Sequence, residues 1–125
     1  MGMKTAGITA SKENYLKTIL RLKQEKCVVR AIDIATEMNL SRPSVSTALR
    51  VLAQEDYIRL DDNRYIDFTP QGLAAALKVQ ERYDTLYAFL LSLGVSEAVA
   101  ALDAGRMEHA ISDESFSRFK ELVAV

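Results

Sequence analysis

The side chains best placed for chemistry lie in the stretch 32–52, which reads as two short helices joined by a tight turn. In the second helix the apolar residues recur at i, i+3, i+4 and i+7, which predicts one stripe facing a core. These residues are Val45, Ala48, Leu49 and Leu52. The opposite face carries Pro43, Ser46, Thr47 and Arg50. Small hydroxyl and cationic side chains can bind phosphates and base edges in a DNA groove, whereas a plain two-helix corner is the alternative.

The second helix is predicted to begin at about Arg42, because Ser41 is a suitable N-cap and Pro43 falls in the first turn, where no N–H is needed. Two β-prone runs, 57–60 and 64–68, follow this helix and are separated by Asp61, Asp62 and Asn63. Their length and turn chemistry predict a β-hairpin. A hairpin directly after a helix-turn-helix is typical of a winged helix.

Arg64 is the basic residue near the predicted hairpin tip, where it could bind the DNA backbone. The carboxylates of Asp61 and Asp62 lie beside it and repel phosphates, so we expect the wing to add little affinity. The candidate DNA contacts are Arg30, Ser41, Arg42, Pro43, Ser44, Ser46, Thr47, Arg50 and Arg64.

The remaining chain reads as helices. One is predicted from Lys12 to Gln24 with Ser11 as its N-cap, and a long one runs from Thr69-Pro70 to Gly94. Two more follow, capped by Ser96 and Ser112 and reaching about Ala110 and Val123. We therefore expect a mainly α fold with two domains: a winged helix-turn-helix over 1–72 and a helical domain over 73–125. The helical part is too small to bury its apolar residues alone, which predicts a homodimer.

The composition limits the possible functions. The chain has 125 residues and a formal net charge of −1, but residues 1–70 carry 11 Lys+Arg against 9 Asp+Glu, so any DNA-binding charge must cluster on one face. A single cysteine, Cys27, suits a reducing compartment. We expect a cytoplasmic protein, since neither a signal peptide nor a membrane span is evident. An enzyme is not expected, because one histidine, one cysteine and no phosphate-binding loop support no mechanism.

Several segments together resemble a known family. They are SKENYLKTILRL (11–22), the stretch 30–52, TPQG (69–72) and MEHAISDE (107–114). This pattern resembles the diphtheria toxin repressor family of metal-dependent transcriptional regulators, in its short, manganese-type class without the extra C-terminal domain. The resemblance implies a homodimer on double-stranded DNA with a partly palindromic operator, and it places Ser41, Pro43 and Thr47 toward the groove.

The resemblance also implies a divalent metal, manganese or iron, and here the sequence departs from the family. Among the ligand positions only Glu108 and His109 keep ligand-type residues. The other positions hold Asn14, Lys17, Tyr83, Tyr87, Ala101 and Gly105. We therefore expect metal binding to be weak or absent. Glu108 and His109 by themselves are better explained as a buried hydrogen-bonding pair.

Lys17 provides a possible replacement for the metal. Because the resemblance places the first helix beside the MEH run, its ammonium group could pair with Glu108 and take the place of the lost cation. The alternative is that Lys17 points to solvent and the site has simply decayed.

The sequence thus supports a dimeric DNA-binding transcriptional regulator with a degenerate metal site. The alternative is a winged-helix protein-interaction module without specific DNA binding, which the acidic net charge and the two wing aspartates favour mildly. The position of Arg30, Arg42, Arg50 and Arg64 on one face, or their scatter over several, discriminates between the two.

Overall fold

The computed structural model describes residues 8–123 and contains six helices and one hairpin in that range. The elements are α1 (Ala10–Glu25), α2 (Ala31–Met38), α3 (Arg42–Gln54), β1 (Ile58–Leu60), β2 (Ile66–Phe68), α4 (Pro70–Ser92), α5 (Glu97–Met107) and α6 (Asp113–Val123). This order confirms the predicted fold class, a winged helix-turn-helix followed by a helical domain. The described residues divide into two units, which we call the winged unit (up to Leu77) and the helical unit (from Lys78).

The core of the winged unit is built around α1. This helix buries one apolar face, which is formed by Tyr15, Leu16, Ile19, Leu20 and Leu22. Residues from every other element of the unit pack with it, among them Ile34, Leu52, Ile58 and Ile66. Burying an aliphatic side chain of this size stabilises a fold by about 1.5–3 kcal/mol, so this cluster is the main support of the winged unit.

The turn between α2 and α3 is fixed by backbone geometry and a cap. Asn39 adopts a left-handed conformation with φ of 56°, and the N–H of Leu40 donates to the carbonyl of Ala35 at 3.0 Å. Asparagine tolerates this conformation better than most residues, so Asn39 can end α2 in a tight turn. Ser41 then caps α3 by accepting from the N–H of Ser44 at 3.2 Å, as predicted from the sequence.

The wing is a short antiparallel hairpin in which Ile58 pairs with Phe68, Arg59 with Asp67 and Leu60 with Ile66. The N–H of Ile66 also donates to the carbonyl of Val29 at 2.9 Å, which ties the segment before α2 to β2. The hairpin is therefore held to the body of the unit by backbone bonds as well as by the burial of Ile58 and Ile66.

The first turn of α4 meets the segment that follows α3. The hydroxyl of Thr69 accepts from the N–H of Gly72 at 3.0 Å, and the N–H of Thr69 donates to the carbonyl of Tyr57 at 3.1 Å. A Cβ added to Gly72 would lie 1.7 Å from that carbonyl oxygen. Glycine at this position is therefore required by the close approach of two backbone segments.

The helical unit consists of most of α4 with α5 and α6. Its buried side chains include Val79, Leu86, Ala100, Ala104 and Phe116, together with two charged residues, Arg82 and Glu108. Ser96 caps α5 by accepting from the N–H of Val99 at 3.4 Å, and Ser112 accepts from the N–H of Ser115 at 3.1 Å. Both caps were predicted from the sequence.

Three boundaries differ from the sequence predictions. α1 begins at Ala10 because Thr9, and not Ser11, accepts from the N–H of Lys12. The strands are shorter than predicted, so Arg64 lies in the hairpin turn instead of in β2, with φ of 64°. α5 ends at Met107 and not near Ala110.

The predicted domain border at residue 72 stays a prediction. The boundary between the two compact units falls between Leu77 and Lys78 in the chain. None of the helices found within residues 8–123 combines the length and apolar character of a membrane-crossing segment.

Replacement of Gly72 by alanine tests the backbone contact. We expect Gly72→Ala to lower the free energy of unfolding by about 2–3 kcal/mol, because the new methyl group must displace the Tyr57 carbonyl. Gly105→Ala is the matched control, since a Cβ there meets no described atom within 4 Å. Urea unfolding of both variants measures the difference, and equal stabilities would contradict the contact.

Candidate nucleic-acid interface

The winged unit has a groove that is lined by three elements. It has a volume of about 610 Å³ and lies between the start of α2, one flank of α3 and the wing. Its lining residues are Arg30, Ala31, Ile32, Arg42, Ser46, Leu49, Arg50, Ala53, Gln54, Leu60, Asn63 and Arg64. We call this surface the arginine groove, because four of these residues are arginines.

Charge in the arginine groove has one sign. Arg30, Arg42, Arg50 and Arg64 are all exposed and come from positions far apart in the chain. Within the part of the chain that the structure describes, no aspartate or glutamate lines the groove. Guanidinium groups bind phosphates bidentately. Several of them along one concave surface therefore favour a ligand with a series of phosphate groups, such as a sugar-phosphate backbone.

α3 presents a second exposed flank outside the groove. Pro43, Ser44 and Thr47 are exposed there and are absent from the groove lining. The hydroxyl of Ser44 lies 2.9 Å from that of Ser41, whose oxygen also caps the helix. The helix therefore has an arginine flank and a flank of small residues, and the latter leaves room for base edges.

The wing tip is organised by Asp61. Its carboxylate accepts from the N–H groups of Asn63 at 2.8 Å and Tyr65 at 2.9 Å. The N–H of Arg64 donates to the carbonyl of Asp61 at 2.9 Å, and Arg64 adopts the left-handed conformation. Asp61 thus holds the turn that presents Arg64 to the groove, a role that its charge alone did not suggest.

The start of α2 is held against the wing by Arg30. The guanidinium carbon of Arg30 lies 5.3 Å from the centre of the Tyr65 ring, within the range of a cation–π contact. The N–H of Arg30 donates to the carboxylate of Asp33 at 2.9 Å, and Lys26 donates to the same carboxylate at 2.7 Å. These hydrogen bonds, that from Lys26 first, lower the pKa of Asp33 below its ordinary value.

Two polar groove residues were not predicted from the sequence. Gln54 is the last residue of α3, and Asn63 lies in the wing tip. Both carry amide side chains, which read adenine edges in protein–DNA complexes. The sequence contained no signal for them, because the groove exists only where the end of α3 and the wing come together.

A second candidate site lies in the helical unit at Glu108 and His109. Glu108 follows the last residue of α5 and is 1% exposed, and its Oε2 lies 3.2 Å from Nε2 of His109. The two side chains are therefore within contact distance, and their role as a hydrogen-bonding pair stays a prediction. The pKa of Tyr83 is raised by burial, and the neighbouring Tyr87 and Glu108 add to the rise. The rings of Tyr83 and Tyr87 stack with their centres 5.8 Å apart.

The side chains around Glu108 do not form an ordinary site for a divalent ion. Between residues 8 and 123 no group of three or more His, Cys, Asp or Glu side chains is placed to hold a metal. Two adjacent ligands are fewer than the three or four protein ligands of typical transition-metal sites. Glu108 and His109 by themselves therefore fall short of the donor set that usually holds manganese or iron, and the degenerate metal site stays a prediction.

The proposed pair of Lys17 and Glu108 joins residues of the two units and stays a prediction. Lys17 is half-buried on α1.

The chain matches two descriptions of one protein family. Residues 7–66 match "Iron dependent repressor, N-terminal DNA binding domain", and residues 69–124 match "Iron dependent repressor, metal binding and dimerisation domain". It is 35% identical over 107 residues to the transcriptional regulator MntR of Salmonella typhimurium, a match that covers 86% of this chain and 68% of that protein. It is 30% identical over 115 residues to the HTH-type transcriptional regulator MntR of Geobacillus kaustophilus, with 92% and 82% covered.

Two solved structures share the fold. One is described as the structure of the manganese regulator SloR, with a TM-score of 0.78, 28% identity and 90% of this chain covered. Another is described as a manganese-dependent transcriptional repressor complex with manganese, with a TM-score of 0.81, 26% identity and 90% covered. The chain spans 53% and 52% of these two solved chains, which is about half of their length.

The lowered pKa of Asp33 predicts how stability depends on pH. Its ionised carboxylate stabilises the fold at pH values above about 4, its ordinary pKa, and this contribution is lost as the pH falls through the lowered folded-state pKa. Asp33→Asn should therefore lower the urea midpoint at pH 7, and the difference from wild type should shrink toward pH 3. Asp62→Asn, an exposed tip residue, is the control. A difference that stays constant from pH 7 to pH 3 would contradict the role of the charge.

Proposed function

Because this chain belongs to the iron-dependent repressor family, we propose that it is a homodimeric transcriptional repressor that binds double-stranded DNA through the arginine groove and α3. The observation that carries this proposal is the gathering of Arg30, Arg42, Arg50 and Arg64 along one groove. Four arginines from three elements with no acid between them form a surface that suits the sugar-phosphate backbone.

The two flanks of α3 suggest a division of roles. Arg42 and Arg50 in the groove hold phosphates and set the position of the helix on the duplex. Thr47 and Pro43, on the flank of small residues, face the base edges and determine which sequence is preferred. The apolar residues among the groove lining, such as Ile32 and Leu60, are suited to contact deoxyribose carbons.

The helical unit supplies the dimer contact. It carries large apolar side chains that are exposed in the single chain, namely Leu91, Leu93, Val99, Leu102 and Leu122. Burial of such side chains against a second copy removes apolar surface from water and favours association. A two-fold dimer presents two copies of α3 to two half-sites about one turn of DNA apart, which suits a partly palindromic operator.

Two substitutions on α3 test the division of roles. Arg50→Ala should weaken binding to every duplex and reduce the salt slope by about one unit for each phosphate that the variant no longer binds in a half-site. Thr47→Ala should change the preferred sequence, measured by selection from a random duplex pool, while affinity for random DNA stays nearly the same. Arg118→Ala, on the exposed surface of α6, is the matched control. The absence of salt-sensitive binding to any duplex would contradict the proposal and leave a protein-interaction module.

We also propose that DNA binding by this chain does not require manganese or iron, although its family description includes metal binding. The support is the chemistry of the residues at the candidate site, where Glu108 and His109 pair with each other and ligand groups are few. From the sequence, Lys17 is the proposed substitute for the ion, as the partner of Glu108.

Chelation tests this proposal directly. In gel-shift titrations, the affinity for a selected operator should be the same with EDTA and with added Mn²⁺, because no step depends on the ion. Lys17→Ala should weaken operator binding while leaving the circular dichroism spectrum unchanged, and Arg118→Ala, at an exposed cation of α6, is the control. Chelator-sensitive binding together with stoichiometric binding of manganese would overturn the proposal.

A further inference from the structure

Arg82 of α4 is a buried cation surrounded by oxygen atoms. It is 8% exposed, and the groups that it contacts in the structure belong to the helical unit. Its Nη1 donates to the carbonyl of Glu108 at 3.2 Å and to the carbonyl of Ile111. Its Nη2 donates to the carboxylate of Asp113. The guanidinium group therefore joins α4 to the end of α5, to the turn after it and to the first residue of α6.

Aromatic and charged groups complete the surroundings of Arg82. Its guanidinium carbon lies 5.3 Å from the centre of the Phe116 ring, which is itself buried. Lys78 also binds Asp113, at 3.2 Å. The hydrogen bonds from Lys78 and Arg82 lower the pKa of Asp113 below its ordinary value, so this carboxylate is ionised at neutral pH.

We infer that the buried guanidinium group of Arg82 positions the turn that carries Glu108 and His109. Two features of the geometry support this. The carbonyl of Glu108 belongs to the C-terminal end of α5, where the helix dipole favours a positive charge. Asp113 begins α6, so one planar group satisfies the end of one helix and contacts the start of the next. The turn between these two contacts is residues 108–112.

Arginine is required at this position by geometry as well as charge. A guanidinium group is planar and presents N–H donors in a fixed fork, so it can bind two carbonyls and a carboxylate at once. An ammonium group is a compact point charge on a flexible chain and cannot reach all three acceptors in the same plane. Arg82→Lys therefore keeps the charge but loses the positioning. This inference concerns the helical unit alone and does not depend on DNA binding.

His109 provides a direct readout, because it is the only histidine in the sequence. Its ring signals in a ¹H–¹⁵N or ¹H–¹³C spectrum report on the turn without overlap from other histidines. We expect Arg82→Lys to shift or broaden these signals. Arg118→Lys, an exposed arginine of α6, should leave them in place. Ala100→Gly, a destabilising change eight residues before Glu108 in α5, should lower the melting temperature without moving them.

Chemical rescue separates positioning from bulk stability. Arg82→Ala should lower the melting temperature by about 10 °C, or leave the unit unfolded, because the carbonyls of Glu108 and Ile111 lose their guanidinium donor. Methylguanidinium at low millimolar concentration should restore the melting temperature and the His109 signals of this variant, whereas methylammonium should not.

The outcomes of the two experiments decide the inference. Guanidinium-specific rescue with recovery of the His109 signals supports it, including the case in which Arg82→Ala folds only with the additive. Equal effects of methylguanidinium and methylammonium would overturn it, and so would unchanged His109 signals in Arg82→Lys.

Discussion

Electrostatic repulsion among the four groove arginines is the constraint that the rest of the winged unit must offset. Holding Arg30, Arg42, Arg50 and Arg64 along one groove costs electrostatic energy, which the apolar core around α1 must offset. The same helix forms ion pairs with acidic groups of the neighbouring elements, none of which lines the groove. Among these pairs are Lys12 with Glu55, Arg21 with Glu37 and Lys23 with Asp67. Thus α1 supports the fold and also binds carboxylates that lie outside the cationic groove.

Local signals in the sequence were sufficient for most of the fold. The apolar period of α3, its Ser41 cap and the hairpin after it are short-range features, and they were predicted correctly. The start of α1 was wrong because Thr9 and Ser11 are both good caps, and only the hydrogen bond to Lys12 distinguishes them. Arg64 was placed in a strand because β-propensity does not reveal where pairing stops, whereas the Asp61 hydrogen bonds fix the turn.

The candidate sites were less predictable, because they depend on contacts between distant residues. Nothing in the sequence near Gln54 or Asn63 indicates a groove, since the end of α3 and the wing meet only in the folded unit. Arg82 occupies one position in a long helix, and its three oxygen partners follow 26 to 31 residues later in the chain. The proximity of Glu108 and His109 was predictable because the two residues are adjacent in the chain.

The contact of Gly72 with the carbonyl of Tyr57 has a mechanical consequence. Side chains absorb small displacements between packed elements by changing rotamer, but two backbone segments in direct contact have no such freedom. The first turn of α4 and the residue that precedes β1 are therefore joined by a backbone contact with no side chain between them. The spacing between this turn and the base of the wing is thus set by main-chain atoms alone, so it has less tolerance than the packing of side chains elsewhere in the unit.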